Sequence, residues 1–295
     1  MRCCGCSRRD SSTGSSKVAP RLFIAIVLMV SLASCTHERE SVDIATTTSL
    51  DGSGLLRELR QEFKRDSGFE LNAFVVGSGQ AMRMARSGLV DLIITHDPVD
   101  ERQFVLTQHP QIYRQFMWNV FIIVGPRSDP ASVRSAHSAA EAFRRIHGAH
   151  AKFCSRNDQS GTHVKELALW RAAGVSPTSN PNYLPLGQGM AGLLRSCDEL
   201  QAYTLSDRAT FDQLSERLDL GIEYQGDPTL RNVYALTLMR RRNASGYATA
   251  QKFAQWLLSE RGRRVVESFT IHGHREFFWM LIGIFRPASV FFVAT

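Results

Sequence analysis

Three short polar clusters in this sequence combine hydroxyl side chains with glycine or arginine, and each stands ahead of a predicted helix. They are residues 46–49, 77–80 and 155–163. The first backbone N–H groups of a helix have no partner within the helix and carry partial positive charge. Hydroxyls and one guanidinium, that of Arg156, add further donors there. This chemistry favours a small oxyanion as the ligand.

Arg156 is the strongest single candidate, as a charge-assisted donor to a dianion, and a surface ion pair with Asp158 is the alternative. Ser160, Gly161 and Thr162 can supply backbone N–H and hydroxyl donors at the start of the next helix. Ordinary helix capping is the other interpretation of these three residues, because serine and threonine are favoured caps.

The two upstream clusters contribute the remaining candidates for ligand contact, which are Thr47, Thr48, Ser49 and Ser78. The three residues of the first cluster could also be solvent-facing strand ends. Ser78 stands between two glycines and could simply form a turn. The sequence does not specify which hydroxyl would contact which oxygen of the ligand.

Composition excludes several classes of protein. The chain has 295 residues, of which 43% are hydrophobic and 21% charged, so it is globular and long enough for two lobes. Its net charge of +7 comes mostly from residues 1–35, which hold five cations and one acid. No lysine and arginine stripe with interleaved aromatics follows, and we therefore expect no nucleic-acid partner.

The first 35 residues have the features of a lipoprotein signal peptide. A basic stretch ends at Arg21, and the apolar run 22–33 is too short to span a bilayer comfortably. The following Leu-Ala-Ser-Cys resembles the bacterial lipobox, which implies cleavage before Cys35 and lipid attachment to its sulfur. A signal peptide with a coincidental cysteine is the alternative. In either case we expect the mature protein outside the cytoplasmic membrane, on its periplasmic or extracellular face.

Cysteine and histidine spacing predicts no metal-cation site and no cofactor. Cys3, Cys4 and Cys6 lie in the leader and lack a matching distal pair. The nine histidines are scattered without metal-ligand spacing. Beyond Cys35 only Cys154 and Cys197 remain, and both a disulfide and buried free thiols are open possibilities.

Strand and helix patterns alternate along the chain, which is typical of an α/β fold. The predicted order begins with strand 42–45, helix 55–67, strand 71–76, helix 80–86 and strand 89–95. A long apolar strand, 116–125, ends at Pro126 and is interpreted as the first crossing into a second lobe. We expect a tether at 36–41, lobe 1 at 42–120 with 236–275, lobe 2 at 121–235, and an atypical apolar tail at 276–295.

All three polar clusters follow a predicted strand, and ligands of open α/β sheets lie beyond the carboxyl ends of the strands. The third cluster belongs to the predicted second lobe. The ligand is therefore expected in the cleft between the two lobes.

Ordered motifs over residues 42–270 resemble the substrate-binding proteins of bacterial tungstate ABC transporters. They include Ala-Thr-Thr-Thr-Ser at 45–49, Val-Gly-Ser-Gly-Gln-Ala at 76–81, the segment 155–163, Gly-Gln-Gly-Met at 187–190 and Ala-Tyr-Thr-Leu-Ser-Asp-Arg at 202–208. The resemblance implies a two-lobed periplasmic binding protein of type II, closing on tungstate, a tetrahedral dianion. It also implies delivery to an ABC permease, and we expect a monomer.

This sequence departs from the family at two places. Asn157 stands where the family usually has glycine, and asparagine tolerates left-handed backbone better than most residues. The apolar C-terminus from about Phe277 resembles nothing in the family, and Arg286 and Pro287 interrupt it as a membrane span. A frameshifted or degenerate tail is our interpretation of this segment.

Several functions compete with tungstate capture. Molybdate has nearly the same shape and charge, and phosphate is not excluded, because Asp158 could accept its proton. An anion-handling enzyme is the rival from another class, but the sequence contains neither a five-residue nucleophile elbow nor a P-loop. His96, Gln188 and Asp207 are expected to be structural, and Trp118, Trp170 and Trp256 to lie in cores.

Overall fold

A computed structural model describes residues 41–240 and 246–280 of the chain. The helices are α1 Thr48–Gly52, α2 Leu55–Ser67, α3 Ser78–Ser87, α4 Pro98–Gln108, α5 Ala139–Gly148, α6 Gly161–Ala172, α7 Met190–Leu200, α8 Arg208–Leu214, α9 Tyr247–Leu257 and α10 Glu260–Ser268. The longer strands are β1 Ser41–Thr47, β2 Glu70–Val76, β3 Leu92–Thr95, β4 Ile112–Pro126, β5 Phe153–Ser155, β6 Tyr183–Pro185, β7 Thr204–Asp207, β8 Leu220–Tyr224 and β9 Arg231–Leu238. Three strands of two residues follow, β10 Thr270–Ile271, β11 His274–Arg275 and β12 Phe278–Trp279.

The main sheet combines parallel and antiparallel strands in the order β12-β4-β9-β3-β1-β2. β1 pairs in parallel with both β2 and β3, whereas β9 runs antiparallel to β3 and β4. Parallel neighbours end at the same edge of a sheet, so Thr47, Val76 and Thr95 finish β1, β2 and β3 side by side. Each of these strands is followed by a helix on its carboxyl side.

Strand β4 has 15 residues and changes partners along its length. Residues 112–120 pair with β9, and residues 121–126 pair with β7 and β8. β5 lies beside β6 in a separate parallel pair, and Phe153 also bridges to Tyr203, just before β7. The long strand therefore belongs to two groups of strands.

The hydrophobic core is divided in the same way. One cluster, which includes Val42, Phe63 and Phe253, packs α2, α9 and α10 on the strands around β1. A second cluster centres on Phe143 and Trp170, and a third packs α7 and α8 on the later part of β4. Of the tryptophans expected in cores, Trp170 is fully buried, whereas Trp118 and Trp256 are half-buried.

The first residues of the predicted atypical tail belong to the main sheet. Phe278 and Trp279 form β12, which pairs antiparallel with Trp118 and Met117 of β4. The rings of Trp118 and Phe278 stack with centroids 4.5 Å apart. These apolar side chains therefore have a packing role. The rest of the tail, the predicted leader with Cys35, and the tether up to residue 40 lie outside the described residues.

None of the helices within 41–240 and 246–280 combines the length and the hydropathy needed to cross a membrane.

Phe277 offers a test of this C-terminal packing. It is fully buried, with ring centroids 5.9 Å from Tyr234 and 6.1 Å from Phe269. We expect Phe277→Ala to lower the free energy of unfolding by about 3–5 kcal/mol, because it leaves a cavity. Phe74→Ala, the same truncation at a ring that is 43% exposed, should change it by about 0.5 kcal/mol. Denaturant unfolding compares the two variants, and similar losses would contradict the packing described.

Candidate anion-binding site

The three polar clusters meet in the folded chain. Arg156 Nη2 donates to Thr48 Oγ1 over 3.1 Å, across 108 residues of sequence. A methyl group added at Gly77 would lie 3.6 Å from Cα of Ser160, so the second and third clusters are also in contact. The expected convergence of separated segments is therefore present in the structure.

Helix starts form this meeting point. Thr47 caps α1, with its Oγ1 accepting from the N–H of Leu50 over 3.3 Å. Ser160 caps α6, with its Oγ accepting from the N–H of His163 over 3.3 Å. The N–H groups of the first residues of α6, Gly161 and Thr162, have no partner within the helix. Such N–H groups at a helix start are suited to an anion.

Helix α3 begins at Ser78, two residues earlier than the sequence pattern predicted. Ser78 is fully buried, and its Oγ accepts from the backbone N–H of His96 over 3.4 Å. The hydroxyl thus links the start of α3 to the loop after β3, and Ser78 belongs to a helix rather than to a simple turn.

Arg156 is the main electrostatic feature of the site. Only 1% of the residue is exposed. Nε donates to Asp158 Oδ2 over 3.1 Å, and Nη2 contacts both that oxygen and Thr48. Nη1 is buried and has no hydrogen-bond partner among the described residues. Burying a charged donor without a protein partner is costly, so this NH2 group is suited to an anionic acceptor.

Further buried hydroxyls belong to the same segments. Thr46 Oγ1 and Thr162 Oγ1 are buried without a hydrogen-bond partner in the described part of the chain, and the buried Ser49 Oγ lies near the carboxyl of Asp207. Ser49 and Thr162 were candidates from the sequence, whereas Thr46 was recognised only as a member of its cluster. Together with Arg156 Nη1, the hydroxyls of Thr46 and Thr162 provide one charged and two neutral donors.

The other hydroxyl candidates accept hydrogen bonds from the protein and keep their own O–H groups as donors. Thr47 is used as a cap, and Thr48 accepts from Arg156. The backbone N–H of Ser160 donates to Asp158 Oδ1 over 3.1 Å. At the start of α6, the expected N–H donors are therefore reduced to those of Gly161 and Thr162. Asp158 does form an ion pair with Arg156, as the alternative interpretation of the arginine expected. The pair uses Nη2 and Nε of the guanidinium and does not involve Nη1.

His96 packs behind the site as a neutral side chain. Its Nδ1 lies 2.9 Å from Oδ1 of Asn232, whose amide group donates to Asn119 Oδ1 over 2.7 Å. Because Asn232 uses its oxygen here, Nδ1 carries the proton. Burial, reinforced by the charge of Arg156, lowers the pKa of His96 to about 4. The imidazole adds no positive charge to the site at neutral pH.

Asp207 is a second carboxyl close to Arg156. Its Oδ1 caps α8 by accepting from the N–H and the hydroxyl of Thr210 over 2.9 and 3.0 Å. Its Oδ2 is buried, and the hydroxyl of Ser49 lies near enough to help lower the pKa of this carboxyl. Burial raises the pKa of Asp207 to about 6, and the charge of Arg156 partly opposes this rise. The sequence analysis considered only Asp158 as an acceptor for a protonated ligand.

Comparisons with known proteins agree with this geometry. A family model described as a PBP superfamily domain matches residues 33–261. The tungstate-binding protein TupA of Peptoclostridium acidaminophilum is 36% identical over 241 residues, which are 79% of this chain and 83% of that protein. The chain belongs to the PBP superfamily, in the family of tungstate-binding proteins.

Two solved structures of the same family align with the whole fold. The tungstate ABC transporter structure from Geobacter sulfurreducens has a TM-score of 0.71 at 35% identity and covers 78% of this chain and 99% of its own. TupA from Desulfovibrio alaskensis G20 has a TM-score of 0.68 at 33% identity, with 82% and 99% covered. The predicted α/β, two-lobed type II fold of periplasmic binding proteins is confirmed.

Asn157, which departs from the family's glycine, adopts the backbone that glycine favours. Its φ is +42°, in the left-handed region, and its N–H donates to Ser155 Oγ over 3.2 Å. Gln159 also has a positive φ, of +57°. Asparagine thus occupies a left-handed position in this turn.

Two other questions from the sequence have structural answers. Cys154 and Cys197 are both free and buried. Gln188 Oε1 accepts from Ser196 Oγ over 2.9 Å, which connects the loop before α7 to that helix.

Among the described residues, no group of three or more histidine, cysteine or acidic side chains could hold a metal ion.

A substitution at Gly161 tests how closely the start of α6 approaches the loop after β3, which contains His96. A Cβ at this position would lie 2.5 Å from the carbonyl oxygen of His96, a backbone atom that cannot swing aside. We expect Gly161→Ala to lower the free energy of unfolding by about 1–3 kcal/mol through overpacking. Gly148→Ala, where a Cβ meets nothing within 4 Å, is the control and should be neutral or slightly stabilising. Chemical denaturation measures both, and a Gly161→Ala protein as stable as the control would refute the contact.

Proposed function

We propose that this chain is an extracytoplasmic solute-binding protein that captures tungstate and delivers it to an ABC permease. The observation that carries the proposal is the buried guanidinium of Arg156, whose Nη1 has no partner in the described residues. A dianion placed between Nη1 and the start of α6 would receive one charged and several neutral hydrogen bonds. Membership in a family of binding proteins, rather than of enzymes, supports the same role.

A fully deprotonated oxyanion suits this donor set. Tungstate and molybdate carry no proton at neutral pH, so they need donors and no acceptor. Both oxygens of Asp158 are already engaged, Oδ1 by the N–H of Ser160 and Oδ2 by Arg156. This carboxylate therefore offers little to a protonated ligand. Molybdate remains the nearest rival, and the preference for tungstate rests on the relatives.

Asp207 supports a second candidate, a protonated oxyanion such as hydrogen phosphate. Its buried Oδ2 could accept a hydrogen bond from the proton of such a ligand, in competition with the hydroxyl of Ser49. An ionised Asp207 would also repel a dianion that carries no proton. Tungstate is favoured because Arg156 and the hydroxyls outnumber this one acceptor.

The remaining assignments concern the arrangement in the cell. We propose cleavage of residues 1–35 before Cys35, a lipid anchor on its sulfur and a tether at 36–41. The lobes would comprise residues 42–120 with 236–275 and residues 121–235, in a monomeric protein. The ligand would lie between these lobes, in contact with Thr47–Ser49, Ser78, Arg156 and Ser160–Thr162.

Isothermal titration of the purified mature protein with sodium tungstate, molybdate and phosphate tests the function. We expect the tightest binding for tungstate and the weakest for phosphate. Molybdate binding as tight as or tighter than that of tungstate would overturn the preference. A protein that binds only phosphate would favour the role of Asp207 as proton acceptor.

Arg156→Ala tests the residue that carries the proposal. Hydrogen bonds to charged groups contribute about 1.5–3 kcal/mol, so we expect tungstate affinity to fall by about tenfold to a hundredfold or more. Arg127→Ala removes an arginine whose side chain is 63% exposed and pairs with Asp219, and it should leave the affinity unchanged. The same titration measures both variants, and an unaltered affinity in Arg156→Ala would argue against the assigned site.

A further inference from the structure

Glu166 is a buried carboxylate directly behind the loop that carries Arg156. It lies in α6, only 1% exposed. Its Oε2 accepts from Ser155 Oγ over 2.8 Å, and its Oε1 accepts from the hydroxyl of Tyr183 over 2.9 Å and from Trp170 Nε1 over 3.2 Å. Three side-chain donors thus converge on one carboxylate.

The contacts of Glu166 also reach the backbone of the loop. The backbone N–H of Arg156 lies near this carboxylate and helps to lower its pKa. Ser155 Oγ, which donates to Glu166, also accepts from the N–H of Asn157 over 3.2 Å. Three consecutive residues of the loop therefore contact Glu166, lie near it or are connected to it through one hydroxyl. Burial raises the pKa of Glu166 to about 7, whereas these donors lower it and so stabilise the charged form.

The same arrangement occurs under the loop on the opposite side of the site. Glu101 is 2% exposed and accepts from Thr95 Oγ1 over 2.7 Å, from Tyr113 OH over 3.0 Å and from the N–H of Asp97 over 2.9 Å. Each glutamate thus binds a hydroxyl at a strand end and a tyrosine, and each lies beside a backbone N–H of the next loop. Because the two loops meet at Gly161 and His96, the repetition points to a shared task at the site.

We infer that Glu166 is a positioning residue for the anion-binding arginine: it fixes residues 155–157 so that the Arg156 guanidinium keeps its place and orientation. This inference rests on the function proposed above. Glu166 itself does not contact the ligand in this account. Its effect comes from pre-organisation, since a loop that must be ordered on binding subtracts the cost of ordering from the affinity.

A double-mutant cycle separates positioning from general stability. Glutamine at 166 keeps one acceptor oxygen but replaces the other by an NH2 group, which cannot accept from Ser155 in one orientation of the amide, or from Tyr183 and Trp170 in the other. We expect Glu166→Gln to weaken tungstate binding by about tenfold in the otherwise native protein. In the Arg156→Ala background the same substitution should change affinity by less than about twofold, because the group that Glu166 positions is gone.

Two further variants keep the test decisive. Ser155→Ala removes the hydroxyl that connects the loop to Glu166 and leaves the carboxylate in place, so it should reproduce the coupling with Arg156→Ala if Glu166→Gln fails to fold. Glu223→Gln alters an equally buried glutamate, paired with Arg134, and should lower the melting temperature without changing the affinity. Calorimetric titration with sodium tungstate and thermal unfolding are measured for every variant.

The possible results distinguish the inference from the function on which it rests. If the native protein does not bind tungstate, the proposed function fails. If it binds tungstate, the inference is overturned when Glu166→Gln and Ser155→Ala bind as tightly as the native protein. It is also overturned when their losses are the same with and without Arg156, because purely structural damage would be additive.

Discussion

The guanidinium of Arg156 is a full positive charge held inside the protein with one N–H group unpaired in the described residues. Desolvating an ion costs several kcal/mol, and the ion pair with Asp158 compensates only part of that cost. Under the proposed function, the remaining donor would gain a strong hydrogen bond when an anion enters. In that case, the free energy that the fold loses by burying the arginine would make ligand binding selective for negative charge.

The fold supplies what this arginine requires. The parallel strands β1, β2 and β3 end at one edge, which places the starts of α1 and α3 there. The short strand β5, which pairs with β6, leads to α6 at the same place. The hydrogen bond from Arg156 to Thr48 connects the loop after β5 with the start of α1. The donors are therefore held by strand ends and helix starts, which are rigid, while the residues between them provide the turns.

Local patterns predicted much of the fold, and long-range contacts account for what they missed. Leu55–Ser67 has leucines and phenylalanine at helical spacing and ends at Gly68, which takes the left-handed form at the cap. Helix Pro98–Gln108 was not predicted, because its buried residues are only Glu101 and Phe104 and no apolar period is visible. The sequence indicated that hydroxyl residues and glycines would form the candidate site, and it singled out Arg156 as the main charged donor. The role of Glu166 could not, because it depends on contacts with Ser155 and Tyr183 that no spacing encodes.

The most direct measurement is the anomalous diffraction of tungsten in crystals of the mature protein grown with sodium tungstate. We predict one strong tungsten peak, with tungstate oxygens within hydrogen-bond distance of Arg156 Nη1 and of the N–H groups that begin α6. A tungsten peak elsewhere on the protein, or one at this position with Arg156 turned away from it, would contradict the account.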